Sequence, residues 1–121
     1  MNRPALGEYV RHKREERLRD NPAFSVRQVA KRIGVAACYL SQVERGLGSV
    51  PTEERLTALA RELREDPDIV LAHAGRIASD LQEAIIERPK LFGTLIRTLR
   101  DASDDDLMDL ISEVRTRKRG E

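Results

Sequence analysis

The sequence predicts an all-α chain, and three observations carry that expectation. Aromatic residues make up 3% of the 121 residues and apolar residues 40%. The core must therefore rest on Leu, Ile, Val and Ala, with the strand-favouring aromatics nearly absent. Apolar residues recur at helical spacing: Leu56, Leu59, Ala60 and Leu63 mark i, i+3, i+4 and i+7, one face of a helix. Helix starts and stops also punctuate the chain, with Ser25, Thr52, Asp66-Pro67 and Ser103 as starts and Gly34, Gly46 and Gly75 as stops.

Residues 5–19 open the chain as a charged amphipathic helix. Leu6, Tyr9, Val10 and Lys13 share one face, and Arg11, Arg14, Glu15, Glu16 and Arg19 take the other. Asp20-Asn21-Pro22 stops it, because proline disfavours helix in the residue before it. Ser25 and Gln28 have the spacing of a capping box, and Phe24 and Val29 that of a hydrophobic staple. Val26, Val29, Ala30 and Ile33 give that second helix its stripe, and Gly34 ends it. A third helix covers 36–45, with Leu40 and Val43 inward.

Thr52 caps the fourth helix, with Glu53 and Glu54 in its first turn. Pro67 opens the fifth, with Ile69, Val70, Leu71 and Ala74 expected to pack. The boundaries predicted are a domain at 1–75 and a helical region at 76–121. In the latter, Ile77, Leu81, Ala84 and Ile85 mark one helix, broken at Arg88-Pro89. Leu91, Phe92, Leu95, Ile96 and Leu99 mark another. A last helix is capped by Ser103, begins with Asp104, Asp105 and Asp106, and ends near Arg115, Arg117, Lys118 and Arg119. That polarity suits the helix dipole.

Net charge is +1, but it is unevenly spread. Residues 1–50 hold ten Lys/Arg against five Asp/Glu, and residues 51–121 hold twelve against sixteen. A basic front half beside an acidic rear half fits a phosphate-binding module joined to something else. The single cysteine, Cys38, excludes an internal disulfide and points to a reducing compartment. With no apolar run long enough to span a bilayer and no secretory signal, a cytoplasmic location is expected and no membrane partner.

His12 and His73 stand alone, without metal-ligand spacing. The run Asp104–Asp106 is explained by the helix start. No nucleophile–base pair, phosphate-cradling glycine loop or zinc pattern is visible, so no enzyme, cofactor or metal is expected.

Residues 25–46, SVRQVAKRIGVAACYLSQVERG, put two short helices around a turn at Gly34. Such a pair can set one helix in a DNA major groove while the other braces it. Ala30, Gly34, Tyr39-Leu40-Ser41, Val43-Glu44-Arg45-Gly46 and Pro51-Thr52 resemble the Cro/cI (Xre-type) helix-turn-helix regulators. The resemblance implies a five-helix lambda-repressor-like DNA-binding domain followed by a small helical C-terminal unit. It implies double-stranded DNA as partner, a dimeric repressor on a palindromic operator, and Ala37, Cys38, Ser41 and Gln42 as base-reading positions. Phosphate contacts are expected from Arg27, Lys31, Arg32, Tyr39 and Arg45. Glu44 is expected to make an internal polar contact, with a basic residue of the first helix such as Arg14 as a candidate partner.

The chain departs from the family at Val26, where glutamine is frequent, and in a longer Arg19–Phe24 loop whose Arg17 and Arg19 could reach phosphates. Leu91, Phe92, Leu95, Ile96, Leu107 and Leu110 are the expected dimer surface; an intramolecular mini-core is the alternative. The rival function is an antitoxin-like or other partner-binding protein. There the C-terminal helices would bind a protein and DNA binding would be autoregulatory.

Overall fold

The computed structural model describes residues 3–120, with the side chains of residues 3 and 4 left aside. Eight α-helices follow in order: α1 (Arg3–Leu18), α2 (Val26–Ile33), α3 (Ala37–Glu44), α4 (Glu53–Glu62), α5 (Pro67–His73), α6 (Ser79–Glu87), α7 (Pro89–Leu99) and α8 (Asp104–Gly120). A 3-10 turn at Pro22–Phe24 joins α1 to α2. No strand occurs among the described residues. The chain divides into two compact units between Ser79 and Asp80.

The first unit holds the core. Leu6, Val10, Phe24, Val29, Ala30, Leu40, Val43, Leu56, Leu59, Ala60, Leu63, Val70, Leu71 and Ala74 form one buried cluster, contributed by α1–α5, the 3-10 turn and the residues that follow α4 and α5. Phe24 and Val29 both enter it, as staple spacing requires. Ser25 Oγ accepts the Gln28 backbone N–H at 3.2 Å. Only half of the capping box forms, because the Ser25 N–H is already given to the Pro22 carbonyl in the 3-10 turn. Ile69 is exposed, contrary to expectation, while its neighbours Val70 and Leu71 are buried. Three successive helical residues span about 200°, more than the one side that α5 turns to the core.

Four helices end in the same Schellman closure, in which the chain turns through a left-handed residue. At α2 the Val35 N–H reaches the Ala30 carbonyl at 3.0 Å and Gly34 has φ 78°. Gly46 and Gly75 serve α3 and α5 in the same way. At α4 the closing residue is Arg64, with φ 58° and the Glu65 N–H on the Ala60 carbonyl at 2.9 Å. Beyond α5, the Ser79 hydroxyl donates to Glu53 Oε2 at 3.0 Å and its N–H to the same oxygen at 3.3 Å, tying the end of the unit to the first turn of α4.

The second unit is different in kind. None of α6, α7 and α8 holds a buried residue. Its helix boundaries follow the sequence signals: Pro89 separates α6 from α7, and Ser103 Oγ accepts the Asp106 N–H at 3.0 Å to cap α8. The six residues expected at a dimer surface or in a mini-core are at most half-covered within the unit. Leu91, Leu95 and Ile96 are exposed, and Phe92, Leu107 and Leu110 are half-buried.

Candidate nucleic-acid interface

Three residues, Gly34 to Ala36, turn α2 into α3. Small Ala30, 1% exposed, lets the two helices approach. Leu40 and Val43 fasten α3 to the core. Ala37, Cys38 and Gln42 are exposed, Ser41 is half-buried, and Arg45 follows exposed at the helix end. At 100° per residue these five side chains fall within an arc of about 140°, opposite the Leu40–Val43 stripe. The four expected base-reading positions thus share one presented face. Ala36 supplies no side-chain cap to α3, leaving the amide-bearing start of the helix open.

The back of α3 is clamped to α1. Arg14 Nε donates to Glu44 Oε2 at 2.6 Å and Nη2 to Oε1 at 2.9 Å, a bidentate pair with both side chains 6% exposed. Its third nitrogen, Nη1, donates to the Phe24 carbonyl at 3.2 Å. The hydrogen bond to Glu44 holds the Arg14 guanidinium above its ordinary value, against the opposing effect of burial. The expected partner of Glu44 is present, but Arg14 was assigned to the solvent face of α1; an opposite charge thirty residues away brings it inside. Two turns earlier, Gly7 lies so close to the end of α3 that an added Cβ would stand 2.4 Å from the Glu44 carbonyl oxygen and 2.6 Å from that of Val43.

The expected phosphate ligands divide into two groups. Arg27 and Lys31 project exposed from α2. Arg45 is exposed too, with Nε toward the Ser41 carbonyl at 3.4 Å. Arg32 pairs with Glu62 and lies over the Phe24 ring at 5.4 Å, so part of its bonding is spent within the domain. Tyr39 is half-buried, with the Arg55 guanidinium 4.9 Å from its ring centroid. Arg55 was not anticipated: it lies in another helix, sixteen residues on, and only the packing of α4 brings it to Tyr39. Arg17, expected as a possible phosphate ligand, instead donates to the Leu63 carbonyl and approaches Glu65 at 3.6 Å. It neutralises the negative end of α4. Arg19 is exposed at the end of α1.

The isolated histidines have local partners. His12 contacts Glu16 at 2.9 Å, and His73 stacks on Tyr9 with ring centroids 4.2 Å apart. The Tyr9 hydroxyl donates to Glu65 at 3.3 Å, and burial, reinforced by the Glu65 charge, pushes its pKa up. Cys38 is free and exposed on the α3 face.

The helix-turn-helix domain family matches residues 5–72, more than half of the chain. Two uncharacterized HTH-type transcriptional regulators of Mycobacterium tuberculosis, from strains CDC 1551 / Oshkosh and H37Rv, are each 37% identical over 84 residues, covering 66% of this chain and 56% of the relative. The chain spans little more than half the length of those relatives. A chain of a solved SinR protein/SinI protein complex superposes with a TM-score of 0.49 at 20% identity, covering 94% of this chain and 98% of that one. With the α2–turn–α3 geometry at its centre, the chain belongs to the helix-turn-helix domain family, as its Cro/cI (Xre-type) resemblance implied.

Proposed function

We propose that the chain is a sequence-specific DNA-binding transcriptional regulator of the cytoplasm, acting as a homodimer that represses by covering a palindromic operator. One observation carries this reading: α3 presents Ala37, Cys38, Ser41 and Gln42 on a face opposite the residues that anchor it. Set in a major groove, that face puts Gln42 where its amide can pair with the N6/N7 edge of adenine, and Ala37 where its methyl can meet a thymine methyl. Arg27, Lys31 and Arg45 then flank the groove as phosphate ligands, which fix register without reading bases. The Tyr39 hydroxyl joins them, its ring held by Arg55. Arg32 reaches a phosphate by giving up Glu62. Only one side chain of the four reads a base strongly, so two copies about 34 Å apart supply the rest of the specificity.

A second reading, a protein partner on the C-terminal helices with autoregulatory DNA binding, is favoured by the uncovered apolar residues of α6–α8, including Ile86 at 72% and Leu91 at 68% exposure. The mass of the purified species separates the two.

The decisive experiment is selection of bound sequences from random DNA, with the unmodified chain and Gln42→Ala in parallel. The expected result is a palindrome whose half-site loses one adenine preference in the variant, a discrimination of about 1–3 kcal/mol. Log affinity should fall linearly with log salt, at a slope of about −0.9 per phosphate neutralised. No enriched sequence, or affinity independent of salt, defeats the reading.

A further inference from the structure

We propose that the second copy docks through α8, as an antiparallel helix pair whose twofold axis passes at Ile111; this rests on the homodimer reading and specifies its surface. The argument begins with charge. Within Ser79–Glu87, α6 carries Asp80, Glu83 and Glu87 and no cation. Within Pro89–Leu99, α7 carries Lys90 and Arg97 and no anion. By helical spacing those charges lie on the side away from the apolar residues of each helix, so neither offers charges that would set direction or register against its own copy. α8 carries both signs, sorted to opposite ends: Asp104–Asp106 at its start and Arg115, Arg117, Lys118 and Arg119 toward its end. Of the three, α8 alone is complementary to itself, and only when reversed. A parallel pair would put aspartates beside aspartates.

The register follows from spacing. Asp104, Met108, Ile111, Arg115 and Lys118 succeed one another at intervals of four, three, four and three, the seam of a helix pair. Met108 is 60% exposed, Ile111 44% and the flanking Val114 47%, so the apolar part of the seam is uncovered. Reversed about Ile111, the strip brings its acidic end to its basic end, with Arg115 opposite the half-buried Leu107. Asp104 and Lys118 lie seven residues to either side, and Met108 and Val114 three to either side. In an isologous twofold contact residue i meets j and j meets i, so each pairing is made twice. Centred on Ile111, an antiparallel pair sets Ile111 on Ile111, Met108 on Val114 and Asp104 on Lys118, each of the last two made twice. The remaining acidic residues, Asp109 and Glu113, fall on the opposite side of the helix, where Glu113 pairs with Arg117 at 2.7 Å. The charges set direction and register, as in paired helices generally; the apolar seam supplies the affinity.

The test combines cross-linking with charge exchange in the full chain. In a Cys38→Ser background, Ile111→Cys should form a disulfide-linked dimer on mild oxidation. Asp104→Cys should not, because its two copies lie about 21 Å apart along an antiparallel pair, far beyond disulfide reach. Asp104→Lys and Lys118→Asp should each raise the dimer dissociation constant about tenfold by sedimentation, each change counting twice across the axis. The double exchange Asp104→Lys/Lys118→Asp should restore it, which a merely destabilised helix would not do. A dimer that cross-links equally at 104 and 111, or not at all at 111, overturns the α8 seam and leaves the homodimer standing. A monomer at DNA-binding concentrations overturns both. A stable complex with a different protein in place of the second copy overturns the choice of occupant.

Discussion

Replacing Glu44 by alanine should be the most damaging single change at the DNA-facing helix pair, although Glu44 reads no base. The Arg14–Glu44 pair is bidentate, at 2.6 and 2.9 Å, and both side chains are 6% exposed. Removing the carboxylate leaves a buried guanidinium with the Phe24 carbonyl as its acceptor. An orphaned buried charge of this kind costs about 3–5 kcal/mol. A small domain has a total stability of about 5–15 kcal/mol, so the loss is a large share of the whole. Each kcal/mol shifts the melting temperature of a domain this size by about 4–8 °C, which puts the expected drop at about 12 °C or more. Urea unfolding followed by helical circular dichroism is the assay. Glu44→Gln, which keeps a neutral acceptor, should fall between. Arg14→Met/Glu44→Leu should recover most of the loss, because removing both charges removes the desolvation cost too. It should stop short of full recovery, since the Phe24 carbonyl loses its donor. A Glu44→Ala loss below about 1 kcal/mol, the range of a solvated surface pair, would refute the account.

Three further outcomes are expected. Gly7→Ala should destabilise by about 1–3 kcal/mol in the same urea assay, since the new methyl meets the backbone oxygens of Glu44 and Val43 at 2.4 and 2.6 Å, and such overpacking is costly. Arg64→Gly should stabilise by about 0.5–1 kcal/mol, because φ 58° suits glycine better than a residue with a Cβ; an unchanged urea midpoint would count against it. Tyr9 binds its proton more tightly when folded, so its contribution is complete below its ordinary value of 10.0 and is lost as pH rises through the higher folded value. The urea midpoint should therefore fall from pH 9 to 11, and Tyr9→Phe should flatten that part of the profile.

What could be read from the sequence was what local chemistry decides. Ser25, Thr52 and Asp66 cap where short polar side chains before an apolar period should, each accepting a backbone N–H. Gly34 and Gly75 close their helices because a left-handed residue favours glycine. An internal role for Glu44 was legible because the helix-turn-helix resemblance leaves Glu44 facing inward. What escaped depends on distant packing. Arg14 is part of a charged pattern that reads as surface until its partner arrives from α3. Arg55 and Tyr39 meet only when α4 folds back. Arg64 ends α4 without the glycine that marks the other three closures, so the stop carries no residue signal.

The helix that faces outward is held entirely from behind. Leu40, Val43, the Arg14–Glu44 pair and the close approach at Gly7 all engage its inner side or its end. Ala37, Cys38 and Gln42 contribute no side-chain bond to that hold. Mutations can therefore drift through the outer positions without first being filtered for folding. A library randomised at Ala37, Cys38, Ser41 and Gln42 would stay largely folded, and new target preferences could emerge from it by few substitutions. The scaffold leaves the outer face of α3 free to change without loss of the fold.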